Sequence, residues 1–110
     1  MRFLFLSFFM LVCFNIIERK GKKVKIIRFN KISTKIRNSI HVLTYELLSD
    51  DVENGTTYGV VVMDQTSGDV EAVMDLTSLE YRANDFYQRL LKGRVTPLSL
   101  KSIAEDFVAE

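Results

Sequence analysis

The chain contains very few of the side chains that catalysis and metal binding use most often. His41 is its only histidine and Cys13 is its only cysteine. A zinc site made of histidine and cysteine ligands needs more of these residues than one chain supplies here, and a serine–histidine–aspartate triad would have to be centred on His41. A lone histidine at the start of a strand is usually a surface residue. We therefore predict no catalytic residue, no cofactor-binding residue and no metal site, and we expect that the chain is not an enzyme.

Acidic side chains are more numerous, but their spacing favours turns over cation sites. Residues 64–69 resemble part of a calcium loop, yet they lack the ligand series and the glutamate at its twelfth position. Residues 50–53 hold three carboxylates in another turn, and Glu105 and Asp106 have no facing partner that the sequence identifies. The glycines lack the spacing and the Lys-Ser/Thr pair of a phosphate-binding loop. Solvated turns and an exposed helix end are the simpler interpretation.

The elements that must position these residues divide at a break in charge near residue 40. Residues 1–40 hold ten Lys/Arg against one Glu (10 − 1 = +9), and residues 41–110 hold five Lys/Arg against thirteen Asp/Glu (5 − 13 = −8). The net charge of +1 thus conceals two segments of opposite sign. We divide the chain into an apolar segment at residues 1–17, a basic segment at residues 18–39 and a small α+β domain at residues 40–110.

The apolar segment has two competing interpretations. Its run from Phe3 to Ile17 contains 15 residues, which as a helix would span about 22 Å, short of the roughly 30 Å core of a bilayer. It could be a short membrane anchor, in which case the basic residues after it would keep the acidic domain in the cytoplasm. Alternatively, the start codon is set too far upstream. Residues 1–40 have the composition of AT-rich codons, residues 18–23 could be encoded by a purine-rich ribosome-binding tract, and Val24 could be a GUG start. A cleaved export signal fits less well, because no cleavage site follows the run.

The basic segment also admits several states. Nine Lys/Arg and no acidic residue lie between Arg19 and Arg37. A weak basic amphipathic helix is predicted there, with a disordered arm as the alternative, because four apolar residues have helical spacing: Phe29, Ile32, Ile36 and Ile40. Such a segment could contact an anionic membrane surface or the phosphates of a nucleic acid. Only one aromatic side chain is present to stack on bases, which disfavours specific nucleic-acid binding. Its charge would also allow it to dock on the acidic domain of the same chain.

The acidic domain begins with a pattern of strands and turns. Three strands are predicted at residues 39–49, 57–63 and 70–76, separated by turns at Asn54-Gly55 and at residues 66–69. In the first strand, alternate residues are expected to face the core: Leu43, Tyr45 and Leu47. The second strand is apolar on both faces, which suits a central strand. The third strand is predicted to point one alternating set inward: Val70, Ala72, Met74 and Leu76.

Two helices are predicted after the strands. Thr77 and Glu80 fit a capping box at the start of the first helix, and Lys92-Gly93 fits its C-terminal cap. Thr96 before Pro97, or else Ser99, would cap the second helix. Each helix has one apolar stripe, made of Leu79, Ala83, Phe86, Tyr87, Leu90 and Leu91 in the first and of Leu100, Ile103, Ala104, Phe107 and Val108 in the second. The predicted fold is therefore α+β, a three-stranded antiparallel meander followed by two C-terminal helices packed on one face.

Four short motifs in this domain carry a family resemblance. They are Tyr58-Gly59-Val60, Asp75-Leu76-Thr77, the stretch from Val95 to Leu100, and Glu105-Asp106-Phe107. On these motifs the chain resembles a family of short uncharacterised clostridial (Firmicutes) proteins, a domain of unknown function, over about residues 41–110. The resemblance implies no activity and no site residues. Because it leaves residues 1–40 outside, it favours a misplaced start codon.

Together these observations favour binding over catalysis. A domain of about 70 residues has a marginal core, and its central strand is apolar on both faces. We therefore expect a small bacterial protein of the cytoplasm that uses no cofactor and that binds another protein or forms a homodimer. The alternative is a domain tethered to the inner face of the cell membrane by the apolar and basic segments.

Overall fold

The computed structural model describes residues 24–110, which form four strands followed by two helices. The elements are β1 (Val24–Ile36), β2 (Ser39–Val52), β3 (Gly55–Asp64), β4 (Val70–Thr77), α1 (Glu80–Gly93) and α2 (Pro97–Val108). Neighbouring strands are antiparallel, and the sheet order β1-β2-β3-β4 follows the chain. The predicted α+β fold, with an antiparallel sheet and two C-terminal helices, is confirmed, but the sheet has four strands instead of three. The apolar segment, including Cys13, lies outside the described residues.

The additional strand is β1, where an amphipathic helix or a disordered arm was predicted. It pairs with β2 along its length, apart from a bulge between Ile26 and Arg28. Its many β-branched residues fit an extended backbone, which places Phe29 and Ile32 on opposite faces instead of on one side of a helix. A two-residue turn joins β1 to β2, and Arg37 in this turn has a φ of 58°. Because arginine is not typical of a position with positive φ, the hairpin has only a weak sequence signal.

The β2–β3 hairpin is shifted by one residue from its predicted position. Its loop consists of Glu53 and Asn54, and Val52 pairs with Gly55 across it. Gly55 has a φ of 142°, which only glycine adopts at low cost. The glycine is therefore needed at the first residue of β3 and not within the loop itself.

The prediction that alternate residues of β4 all point inward is wrong, because the strand contains a bulge. The predicted inward residues were Val70, Ala72, Met74 and Leu76. The bulge lies opposite Gly59, and within it Asp75 has a φ of 54° and accepts a hydrogen bond from the Thr57 hydroxyl (3.0 Å). The extra residues interrupt the alternation of side chains. As a result, Leu76 packs toward the helices whereas Met74 packs on the other side of the sheet.

The main core lies between the sheet and the two helices. Its buried members are Leu43, Tyr45, Leu47, Val60, Val62, Leu76, Ala83, Phe86, Tyr87, Leu90, Val95, Leu100, Ala104 and Phe107. The alternation predicted for β2 is therefore confirmed, and so are the central residues of both helical stripes. Leu79 and Val108, at the outer ends of those stripes, are exposed.

Two buried tyrosines join the layers of this core. The Tyr45 hydroxyl donates to the carbonyl oxygen of Val95 (2.9 Å). The Tyr87 hydroxyl lies 2.9 Å from Asn30 Oδ1 and 3.0 Å from the Tyr45 carbonyl oxygen, and with its single proton it donates to one of them at a time. Burial raises the pKa of both tyrosines to about 12. Both hydroxyls are therefore neutral donors at physiological pH.

The helix ends differ in detail from the predicted caps. The Thr77 hydroxyl accepts a hydrogen bond from the N–H of Leu79 (3.1 Å) and not from that of Glu80, so the predicted capping box does not form. At the other end of α1, Arg94 and not Gly93 takes the left-handed conformation, with a φ of 47°. Backbone N–H groups after the helix still reach its last carbonyls.

Candidate interaction surface

The sheet has a large surface on the side opposite the helices, which we call the second face. At its centre, Leu48, Val61 and Met63 form a buried cluster, against which Val24 and Met74 pack. Opposite residues of an antiparallel pair share a face, so the register adds three apolar side chains at its rim: Ile26, Phe29 and Val70. The same register places Thr44 and Lys31 on this face, so the second face is apolar at its centre and mixed elsewhere.

The centre of the second face is buried although neither helix lies on it. Leu48, Val61 and Met63 are 2%, 1% and 0% exposed. Within residues 24–110, their cluster contains strand residues only, whereas α1 and α2 contribute to the core on the opposite face. An antiparallel sheet with one solvated face normally presents polar side chains there. The second face has instead the composition and burial of an interior surface.

Two carboxylates of β2 lie within this apolar surface. Glu46 pairs with Phe29 on one side and Val61 on the other, and Asp50 pairs with Val24. Both residues are buried, and Oε2 of Glu46 and Oδ1 of Asp50 have no hydrogen-bond partner among the described residues. Burial raises the pKa of Glu46. Buried polar atoms are normally hydrogen-bonded, so these two oxygens are exceptions among the described residues.

His41 is half-buried and paired with an aspartate. Its Nδ1 lies 2.6 Å from Oδ2 of Asp64. The other oxygen of that carboxylate accepts hydrogen bonds from the N–H groups of Thr66 (2.9 Å) and Ser67 (3.2 Å). Burial raises the pKa of Asp64, but the hydrogen bonds from His41, Ser67 and Thr66 outweigh it and lower the pKa overall. The contacts of this pair hold the β3–β4 turn, so we assign it a structural role.

The remaining acidic residues do not converge. At the β2–β3 turn, Asp50 points to the second face, whereas Asp51 accepts a hydrogen bond from the Thr56 hydroxyl (3.2 Å). Glu105 and Asp106 are exposed on α2. In the region from Val24 to the C-terminus, no three His, Cys, Asp or Glu side chains are grouped closely enough to hold a metal ion.

The edges of the sheet are poorly suited to the addition of another strand. β1 carries Lys25, Lys31 and Lys35 and contains a bulge after Ile26, and both features discourage pairing between edges. At the other edge, the bulge at Asp75 interrupts β4. Both edges of the sheet are therefore protected against the addition of a strand.

A groove of about 490 Å³ lies between β4 and α2. Its lining consists of Ala72, Val73, Met74, Asp75, Leu76, Lys101, Ala104, Glu105 and Val108. Both charge signs occur in this lining, and the β4 bulge is part of it. The groove thus combines apolar and charged side chains.

Comparison with known families covers most of the chain. The model of a family of unknown function, DUF6514, matches residues 22–110. The chain belongs to this family. The DUF6514 domain thus begins before β1 and includes it, whereas the sequence motifs indicated a likeness over about residues 41–110. The family description names no bacterial group, so the clostridial origin stays a prediction. No curated protein and no solved structure gives a significant match.

Neither helix among residues 24–110 combines the length and apolar character needed to cross a membrane.

The second face was not predicted from the sequence. The residues that could have indicated it are the two apolar sets of β3, in which Val60 and Val62 alternate with Val61 and Met63. Those two sets do pack on opposite sides of the sheet.

Proposed function

We propose that this DUF6514 domain is a non-enzymatic protein-binding domain of the cytoplasm and that the second face is its binding surface. The observation that carries the proposal is an apolar sheet face that carries no helix of the described chain and has three large, exposed apolar side chains at its rim: Ile26, Phe29 and Val70. Removing the exposed apolar area of these rim side chains from water is favourable by about 25 cal/mol per Å². A protein segment that covers it would therefore be held mainly by the hydrophobic effect.

The protected edges and the buried carboxylates support the same surface. Lysines and bulges disfavour strand addition at β1 and β4, which leaves the faces of the sheet for binding. Glu46 and Asp50 place acceptors without partners inside the second face. A protein partner can supply N–H and O–H donors there, and these would fix its orientation.

The proposal can be tested with a photo-crosslinking amino acid placed at the rim of the second face. We would substitute Phe29 or Ile26 in the full chain, because both side chains are about half exposed. Tyr81, an exposed residue of α1, is the matched control. Illumination in cells, followed by mass spectrometry, should give protein adducts at the rim positions and none at Tyr81. Equal yields at rim and control positions would refute the proposal.

The covering partner can be identified from the same adducts. Adducts between two copies, together with a dimeric mass by light scattering, would identify a homodimer. Cell fractionation addresses the alternative function, a domain tethered to the membrane by the apolar and basic segments. A chain found only in the membrane fraction, without rim adducts, would support the tether and contradict the proposal.

A further inference from the structure

We infer that α2 binds the α2 helix of a second copy of this chain, antiparallel and across a two-fold axis. The contact uses one side of α2, which we call the outer stripe and which consists of Leu98, Lys101, Glu105 and Val108. None of these residues belongs to the second face, so the inference goes beyond the proposed function and does not depend on it.

The outer stripe joins two exposed apolar side chains through a pair of opposite charges. Its spacing of three, four and three residues places the four side chains on one side of a helix. Leu98 is 92% exposed and Val108 is 60% exposed. The core is contacted by another side of α2, which includes Leu100 and Phe107. The outer stripe is therefore an accessible surface with an apolar residue at each end.

The order of the two charges is not explained by α2 alone. Lys101 precedes Glu105, which is the less favourable order for a pair four residues apart in a helix. It also places the positive charge nearer the positive end of the helix dipole. Neither side chain forms a salt bridge with another described residue. Both charges can therefore pair with groups outside their own chain.

An antiparallel second copy complements every position of the outer stripe. Leu98 and Val108 each lie five residues from Ile103, and the two charged residues each lie two residues from it. When two α2 helices align antiparallel at this midpoint, residues equally distant from it face each other. Leu98 then packs on the second copy's Val108, and Lys101 pairs with the second copy's Glu105. This is the self-complementary contact that a two-fold dimer requires, whereas a parallel pair would place like charges together.

The groove between β4 and α2 receives the leucine of the second copy. Lys101, Glu105 and Val108 line the groove on the side of α2, and Met74 lines it on the side of β4. Because Leu98 of one copy faces Val108 of the other, its side chain reaches the apolar part of this groove. Apolar contacts then provide the attraction. The exposed charge pairs add little free energy, but they fix the direction of the two helices.

The oligomeric state of the full chain tests the inference. Light scattering over a range of concentrations should show a dimer. Leu98→Glu should raise the dissociation constant of this dimer by more than about tenfold, because each dimer loses two buried leucine side chains. Tyr81→Glu, at an exposed residue of α1, is the matched control and should leave the dissociation constant unchanged. Thermal melts confirm that each variant folds.

Charge reversal and crosslinking test the direction of the helices. Lys101→Glu should weaken the dimer, and the double variant Lys101→Glu/Glu105→Lys should restore it, because opposite charges face each other again. Chains that carry Cys13→Ser with either Leu98→Cys or Val108→Cys are then mixed and treated with a short bifunctional maleimide. Mass spectrometry should identify links between position 98 of one copy and position 108 of the other.

Three results would overturn the inference. The first is a chain that stays monomeric at every concentration, and the second is a dimer that Leu98→Glu leaves intact. The third is a set of links between two copies at position 98 without links to position 108, which would indicate a parallel pair. The adducts at the rim of the second face test the proposed function separately, so the inference can fail while the proposed function stands.

Discussion

Gly59 is the position in β3 where the packing of the bulged strand leaves no room for a side chain. A Cβ atom added there would lie 2.7 Å from the Val73 carbonyl oxygen, 2.8 Å from Met74 Sδ and 3.0 Å from Met74 Cα. A change of rotamer at Met74 relieves only one of these contacts, because the other two atoms belong to the backbone. Gly59→Ala must therefore move β4 relative to β3.

The expected cost of Gly59→Ala follows from those distances. Overpacking that requires a backbone shift typically costs about 1–3 kcal/mol. In a domain of this size, each kcal/mol lowers the Tm by about 4–8 °C, so we expect a fall of roughly 10 °C. Gly59 does not have a positive φ, and the loss would therefore report packing and not backbone strain.

Gly93→Ala is the matched control in the same chain. Its added Cβ would have Val95 Cγ2 as nearest neighbour at 3.6 Å, an ordinary contact. Because alanine favours a helix over glycine by up to about 1 kcal/mol, stability should be unchanged or slightly higher. Thermal and urea unfolding of the full chain, followed by circular dichroism, measure both variants. The reasoning is refuted if Gly59→Ala is as stable as the wild type, or if Gly93→Ala loses as much.

Three further predictions concern buried polar groups. Tyr87→Phe should lower the free energy of unfolding in urea by about 1–3 kcal/mol, because the Tyr45 carbonyl loses a buried donor. The same substitution at the exposed Tyr81 should leave the free energy of unfolding unchanged. Equal effects of the two substitutions would contradict this prediction. Burial raises the pKa of Glu46, so the native state binds its proton more tightly and stability falls as pH rises from about 4.5 through the native pKa. Glu46→Gln should remove that slope and be more stable than the wild type at pH 7, and parallel melting curves from pH 4 to 8 would exclude the effect. Hydrogen bonds lower the pKa of Asp64, so the ionised Asp64 carboxylate stabilises the native state fully above about pH 3.8. This stabilisation is lost as pH falls through the lower native pKa. Asp64→Asn should be less stable at pH 7 and lack this acid-side loss, whereas unchanged stability at pH 7 would contradict the assigned role.

Patterns between residues close in sequence determined much of the fold. The alternation of Leu43, Tyr45 and Leu47 predicted the core face of β2, and the helical stripes predicted both C-terminal helices. These patterns are informative because a strand or helix fixes the direction of each side chain relative to its neighbours. The two apolar sides of β3 predicted a central strand, and β3 does lie between β2 and β4.

Tertiary structure decided the features that depend on pairing across the chain. β1 lacks a clean alternation and turns at Arg37, so only its pairing with β2 makes it a strand. The bulge opposite Gly59 sends Met74 and Leu76 to opposite faces, which no period of two predicts. Likewise, Glu46 looks like an ordinary outward residue of an alternating strand until the sheet places it among apolar neighbours. The local sequence determines which faces of a strand or helix are apolar. The second face, in contrast, exists only because four strands align in one register.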